Sequence, residues 1–139
     1  MKIAATGVKC LFLVNRTESK AEAIASEIGQ RFPAVETHVG YPQNEVDLVL
    51  NSTSLGLQQD DPLPLDTSAF ALNQSRAVYD MIYKPTETPL LAAAKASGCK
   101  TANGLGMLLH QGAKALEIWS GQTAPIDVMR AALEENVYG

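Results

Sequence analysis

The 139-residue sequence contains no G-x-G-x-x-G loop, no CxxC pair and no apolar run approaching a membrane span, which takes ~20 residues. Its first residues, MKIAATGVKCLFLV, lack a continuous apolar stretch because Thr6, Gly7 and Lys9 interrupt it, so a secretory signal is not expected. Basic residues are few: 11 Lys and Arg stand against 15 Asp and Glu, for a net charge of −4. That balance argues against nucleic acid or an anionic membrane as the main partner. The two cysteines, Cys10 and Cys99, form no metal-binding pattern with histidine. They read as small buried hydrophobes in a reducing cytoplasm, and no metal site is expected. His38 carries no signal of its own.

What is present is an alternation of strand-like and helix-like periods. Leu11–Val14 is a continuous apolar run ending at Asn15. Ala21, Ile24, Ala25, Ile28 and Phe32 then recur at helical spacing, with Thr17 placed to cap the helix. Val35–Val39, Val46–Leu50 and Ala77–Tyr83 read as further strands. Thr88, Pro89 and Gly98 punctuate a helix. A short extended piece, Lys100–Asn103, leads into a long helix from Gly104 to Ser120, with Leu105, Leu108, Leu109, Gly112, Leu116 and Trp119 as one buried stripe. His110 shares a face with Lys114 and Glu117 and is expected to be exposed. Pro125 opens a last helix carrying Val128, Met129, Ala132 and Leu133.

Strands alternating with helices imply parallel βαβ units. Unalternated apolar strands imply burial on both faces. The expected class is therefore α/β: a Rossmann-like, doubly wound parallel sheet, incomplete at its N-terminus and followed by C-terminal helices. Residues 1–7 read as the last turns of a helix ended by Gly7, after a strand and glycine loop that this sequence does not contain. Gly104-Leu105-Gly106 cannot replace that loop, because it lacks a third glycine and lies late in the chain. In strand order 3-2-1-4-5-6 the first strand is central. Without it, the strands ending at Asn15 and Asn51 have no shared neighbour. They must close on each other, accept a strand from another chain, or leave the domain unstable.

Ligands of such sheets sit beyond the carboxyl ends of the strands. At the end of the first apolar run stand Asn15 and Arg16, followed by Thr17 and Lys20, with no carboxylate at the strand end. An acid at this place bonds the 2′-hydroxyl of NAD, whereas an arginine accommodates the 2′-phosphate of NADP. Arg16 can fork onto phosphate oxygens, Lys20 adds charge, and the helix start adds N–H groups. The expected cofactor is NADP. A surface arginine beside an ordinary helix cap remains the alternative on these residues alone.

Five segments together resemble the C-terminal, cofactor-binding half of the shikimate dehydrogenase family, which includes quinate/shikimate relatives. They are Asn15-Arg16-Thr17 with Lys20; Asn51-Ser52-Thr53-Ser54-Leu55-Gly56; Asp80-Met81-Ile82-Tyr83 with Pro85; Thr88-Pro89-Leu90-Leu91; and Asn103 through Leu109 with Gln111. The resemblance implies residues 1–139 as a truncated NADP-binding domain without the N-terminal substrate domain. It implies reduction of 3-dehydroshikimate to shikimate with NADPH, in cytoplasmic aromatic amino-acid biosynthesis. Asn15, Arg16, Thr17 and Lys20 are then expected at the 2′-phosphate. Thr53, Met81, Gly104 and Met107 are expected along the cofactor, and Tyr83 and Gln111 at shikimate. The family often has arginine where Lys20 stands, so the preference for NADP is expected to be weaker here.

The family's catalytic lysine and aspartate belong to the substrate domain, so no catalytic residue is assigned. The isolated chain is expected to be inactive. The alternatives are a non-catalytic module that binds a nucleotide or pairs with another chain through the missing strand's gap, and part of a quinate/shikimate dehydrogenase. Asp80 is read as a structural hydrogen-bonding residue.

Overall fold

A computed structural model describes residues 1–58 and 60–139. The chain divides into two compact units, Met1–Asn44 and Glu45–Gly139.

In the first unit a 3-10 turn, Ala4–Thr6, ends at Gly7, whose positive φ of 82° suits a residue without Cβ. Strand β1 (Cys10–Leu13), helix α1 (Glu18–Arg31) and strand β2 (Glu36–Val39) follow. β1 and β2 pair in parallel, with Cys10 opposite Glu36 and Leu13 opposite Val39. Ala4, Ile28 and Val35 form the core, joined by Val8, Leu11, Leu13 and Phe32. The expected apolar face of α1 holds at Ala21 and Ile28, which are buried, whereas Ile24 is exposed. Ile24 lies three residues beyond Ala21, at the flank of the Ala21–Ala25–Ile28–Phe32 stripe.

The second unit carries β3 (Val46–Asn51), β4 (Ser75–Asp80) and β5 (Lys100–Ala102), all parallel in the order β3-β4-β5. Helix α2 (Pro89–Ala96) packs on β4 and β5. Leu72, Val78, Leu90, Leu91 and Ala94 are its core. The expected punctuation of α2 holds: the Thr88 hydroxyl accepts from Leu91 N at 3.3 Å, Pro89 sits in the first turn, and Gly98 has φ +83°. Helices α3 (Leu105–Ser120) and α4 (Ile126–Tyr138) complete the unit and pack on each other.

The chain is α/β with parallel strands, and it forms two small sheets, one in each unit. Several details depart from the sequence reading. The strand expected over Ala77–Tyr83 runs from Ser75 to Asp80, so Tyr83 lies beyond it. The chain turns there because the Asp80 carboxylate accepts from Ile82 N, two residues on, at 3.1 Å. Strands expected to be buried on both faces are not, since Leu48 is 51% exposed and Phe12 and Val39 are exposed as well.

Trp119, expected in the core, is 84% exposed. The stripe of α3 that is buried is Leu105, Leu109 and Ala113, and it ends there. Val128 is exposed too, and no residue of α4 is fully buried. Spacing tells which side chains share a face; burial also needs a surface opposite that face. Cys10 and Cys99 are half-buried free thiols rather than fully buried ones. Among the described residues no helix is long and apolar enough to cross a membrane.

Candidate functional site

The turn from β1 into α1 is shaped by Asn15. Its Oδ1 accepts from Thr17 N at 2.9 Å, an Asx turn that redirects the backbone. Thr17 occupies the position before α1, but its hydroxyl makes no capping bond. The expected Thr17 cap is thus replaced by the Asn15 turn just ahead of it. Asn15, Arg16, Thr17 and Lys20 are all exposed. Among the described residues, no ion pair engages Arg16 or Lys20. Two cations and the positive end of a 14-residue helix are therefore turned to solvent together. Glu18, in the first turn, is the one opposing charge there. This donor set suits an anion with several oxygens, such as a phosphate ester.

In the second unit the carboxyl ends of β3 and β4 are locked by a buried polar network. Asn51, Asp80 and Thr88 are buried, Asp80 and Thr88 completely. Asn51 Nδ2 donates to Asp80 Oδ1 at 3.0 Å, and the Thr88 hydroxyl donates to Asp80 Oδ2 at 2.7 Å. With Ile82 N, three donors converge on one carboxylate. Buried polar groups that satisfy one another fix a local structure, because any rearrangement strands several of them. Among the described residues no buried side-chain polar atom lacks a partner. The structural reading of Asp80 agrees with this arrangement.

The network extends to the loop after β3. Asn51 Oδ1 accepts from the Thr53 hydroxyl at 2.8 Å and from Thr53 N at 3.0 Å, and Asn51 Nδ2 also donates to Leu55 O. The Thr53 hydroxyl in turn accepts from Leu55 N at 3.1 Å. Thr53 itself remains exposed, so its hydroxyl proton is committed inward while its outer side faces solvent.

Met81 and Gly104 are brought into direct backbone contact. Gly104 N donates to Ile82 O at 3.0 Å, and a Cβ on Gly104 would overlap the Met81 carbonyl oxygen. Only glycine lets the start of α3 approach the end of β4 this closely. Asn103 holds the same corner: Oδ1 accepts from Leu105 N, and Nδ2 donates to Thr86 O and to the Tyr138 hydroxyl. Gly104, Met107 and Gln111 follow one another along one side of α3. Met107 is half-buried and Gln111 exposed, and Tyr83 is half-buried after the β4 turn. His110 is exposed, as expected.

A domain model described as the shikimate 5′-dehydrogenase C-terminal domain matches residues 104–134. The shikimate dehydrogenase (NADP(+)) of Nitrobacter hamburgensis is 41% identical over 130 residues, covering 93% of this chain and 45% of that protein. Over most of its length the chain is similar to shikimate dehydrogenases. It spans about half the length of the curated relatives it matches, 45% and 50% for two of them.

Among solved structures, shikimate 5-dehydrogenase from Thermus thermophilus, in complex with NADP(H) and shikimate, is 31% identical with a TM-score of 0.75. It is covered to 47%, with 94% of this chain aligned. The ligand-free 5-ketofructose reductase of a Gluconobacter species is 32% identical with a TM-score of 0.78, over 97% of this chain and 50% of that one. Similar frameworks therefore occur in proteins named for different substrates.

The residues of the β1–α1 turn, Thr53 and Gly104 stand at strand and helix ends, where the sequence pattern places them. The pattern does not reveal Asn51 and Thr88 as partners of Asp80, nor Asn103 as the clasp on α3. An Asn, an Asp and a Thr at strand ends and a helix start are the available signal. Their convergence depends on the β3–β4 register, which sets Asn51 opposite Asp80.

Proposed function

We propose that this chain forms the cofactor-binding portion of an NADP-dependent shikimate dehydrogenase of the cytoplasm. The bound dinucleotide would supply or accept the hydride exchanged with the substrate carbon. Asn15, Arg16, Thr17 and Lys20 hold the adenosine 2′-phosphate. Thr53, Met81, Gly104 and Met107 line the cofactor path. Tyr83 and Gln111 offer a hydroxyl and an amide to the substrate's hydroxyl and carboxylate groups. The chain's own residues bind and orient; none of them is assigned the proton transfer that ketone reduction requires.

The observation that carries this reading is the β1–α1 turn. It offers Arg16 and Lys20, free of ion pairs among the described residues, at a helix start, with no carboxylate where β1 ends. NADP and NAD differ at that one phosphate, so the turn is where they are told apart. Titration of the chain is expected to give tighter binding of NADP than of NAD, with the difference abolished in Arg16→Ala. Equal affinities in the unaltered chain would overturn the assignment. Shikimate-dependent NADPH formation by the chain alone is expected to be undetectable, and measurable turnover would overturn the placement of the catalytic groups outside it.

A second reading concerns association. β1 pairs only with β2, and β3 only with β4, among the described residues. Each thus keeps one edge with unpaired N–H and C=O groups, which favours accepting an added strand. A dimer or higher assembly at micromolar concentration in sedimentation would support pairing through these edges, and a strict monomer would count against it.

A further inference from the structure

The first unit has a second polar cluster, which the dinucleotide reading does not use. Leu11 and Leu13 turn toward the core of Ala4, Ile28 and Val35. Cys10 and Phe12, which alternate with them, therefore turn to the opposite face of the sheet. The parallel register sets Cys10 opposite Glu36 and Phe12 opposite His38. Glu36 and His38 are two residues apart on β2, so they share that face. A sulfur, a carboxylate oxygen and an imidazole nitrogen converge as a result: the donor atoms of Cys10, Glu36 and His38 all lie within 4.8 Å of one another. His38 Nε2 is 2.8 Å from Glu36 Oε1, and its ring stacks on Phe12 with centroids 5.0 Å apart and planes 20° apart.

We propose that Cys10, Glu36 and His38 form a binding site for a zinc-class divalent transition-metal ion, with a fourth position open to water. Thiolate and imidazole donors select such ions over magnesium or calcium, which prefer all-oxygen shells. Zinc holds sulfur at ~2.3 Å and nitrogen or oxygen at ~2.0–2.2 Å, so tetrahedral donors stand about 3.3–3.7 Å apart. The donor atoms lie within 4.8 Å of one another, and the 2.8 Å Glu36–His38 pair must widen while the sulfur draws in, shifts within the reach of side-chain rotation. Glu36 and His38 are exposed and Cys10 is half-buried, so the ion has an open approach from solvent. The Phe12 stack restrains the imidazole and limits the ordering that binding must impose. Sequence spacing alone hides the set, because β1 and β2 contribute its members and only their register unites them.

The test is a cobalt(II) titration of the metal-stripped, reduced full chain, followed by absorbance. One equivalent is expected to produce a thiolate-to-cobalt charge-transfer band that zinc removes by displacement and magnesium does not. Cys10→Ser is expected to abolish the band. His38→Ala is expected to weaken binding at least tenfold. Cys99→Ser, whose thiol is engaged with Leu72 O at 3.1 Å, is expected to leave it unchanged. Circular dichroism of each variant confirms that its fold is retained. Absence of a thiolate band in the unaltered chain, its persistence in Cys10→Ser, or its loss only in Cys99→Ser would each overturn the proposal.

Discussion

At the end of β1 the polar side chains are exposed, and protein groups bond them sparsely. At the ends of β3 and β4 they are buried and bonded to one another. Among the described residues the β1–α1 turn has one side-chain hydrogen bond, Thr17 N donating to Asn15 Oδ1, and no ion pair at Arg16 or Lys20. The β3–β4 ends commit Asn51, Asp80 and Thr88 wholly to internal partners. The difference separates two tasks that motifs alone do not distinguish. Exposed, uncommitted cations can discriminate a ligand at little cost to folding. Buried, fully committed groups cannot bind anything directly, but they set where Thr53 and Met81 stand.

The sharpest way to break this contrast is at Asp80. Asp80→Ala removes the acceptor of three buried or partly buried donors. Each unsatisfied donor costs ~1–3 kcal/mol, so a loss on the order of 3 kcal/mol or more is expected in denaturant unfolding. An unchanged midpoint would show that the network does not hold the strand ends. Gly104→Ala comes next. Its Cβ would displace the Met81 carbonyl, and strain of this kind costs ~1–3 kcal/mol, read as a lowered Tm. Retention of the parent Tm would mean that α3 shifts freely.

Arg16→Ala sharpens the other side. Stability is expected to stay within ~0.5 kcal/mol, while NADP affinity falls about tenfold or more, since charged hydrogen bonds contribute ~1.5–3 kcal/mol. A stability loss comparable to that of Asp80→Ala would erase the distinction between the two regions. The smallest effect is expected at Asp61, whose carboxylate accepts from Gln58 N and Gly56 N and so titrates below its ordinary value. A depressed native pKa adds stability above the unfolded value, and that stability is lost as pH falls through the native one. The turn after Gly56 should therefore loosen only in acid below the usual carboxylate range. Carbon-detected NMR titration checks this, and an ordinary Asp61 midpoint would refute it.

Periodicity and punctuation make the elements legible. The apolar run before Asn15, the stripe of α1 and the Thr88-Pro89…Gly98 frame each mark an element that the structure contains within a residue or two. These signals are local: a helix cap or a strand run is written in adjacent residues. Trp119 shows where local signals fail. Its spacing fits the stripe of α3, yet the buried residues of that helix are Leu105, Leu109 and Ala113. Tyr83 departs from expectation for a related reason, since the bond from Ile82 N to Asp80 ends the strand earlier than β propensity suggests.

The sequence by itself determined the parallel α/β class, the position of the Asn15–Lys20 turn, and the glycine at 104, because each follows from the order and type of neighbouring residues. Only the tertiary structure decided which groups meet across strands. It set Asn51 against Asp80 and Cys10 against Glu36, because strand register is fixed by packing and ladder bonds between segments far apart in the chain. It likewise decided that the candidate residues fall into an exposed turn and a locked framework, since exposure is a property of the folded surface.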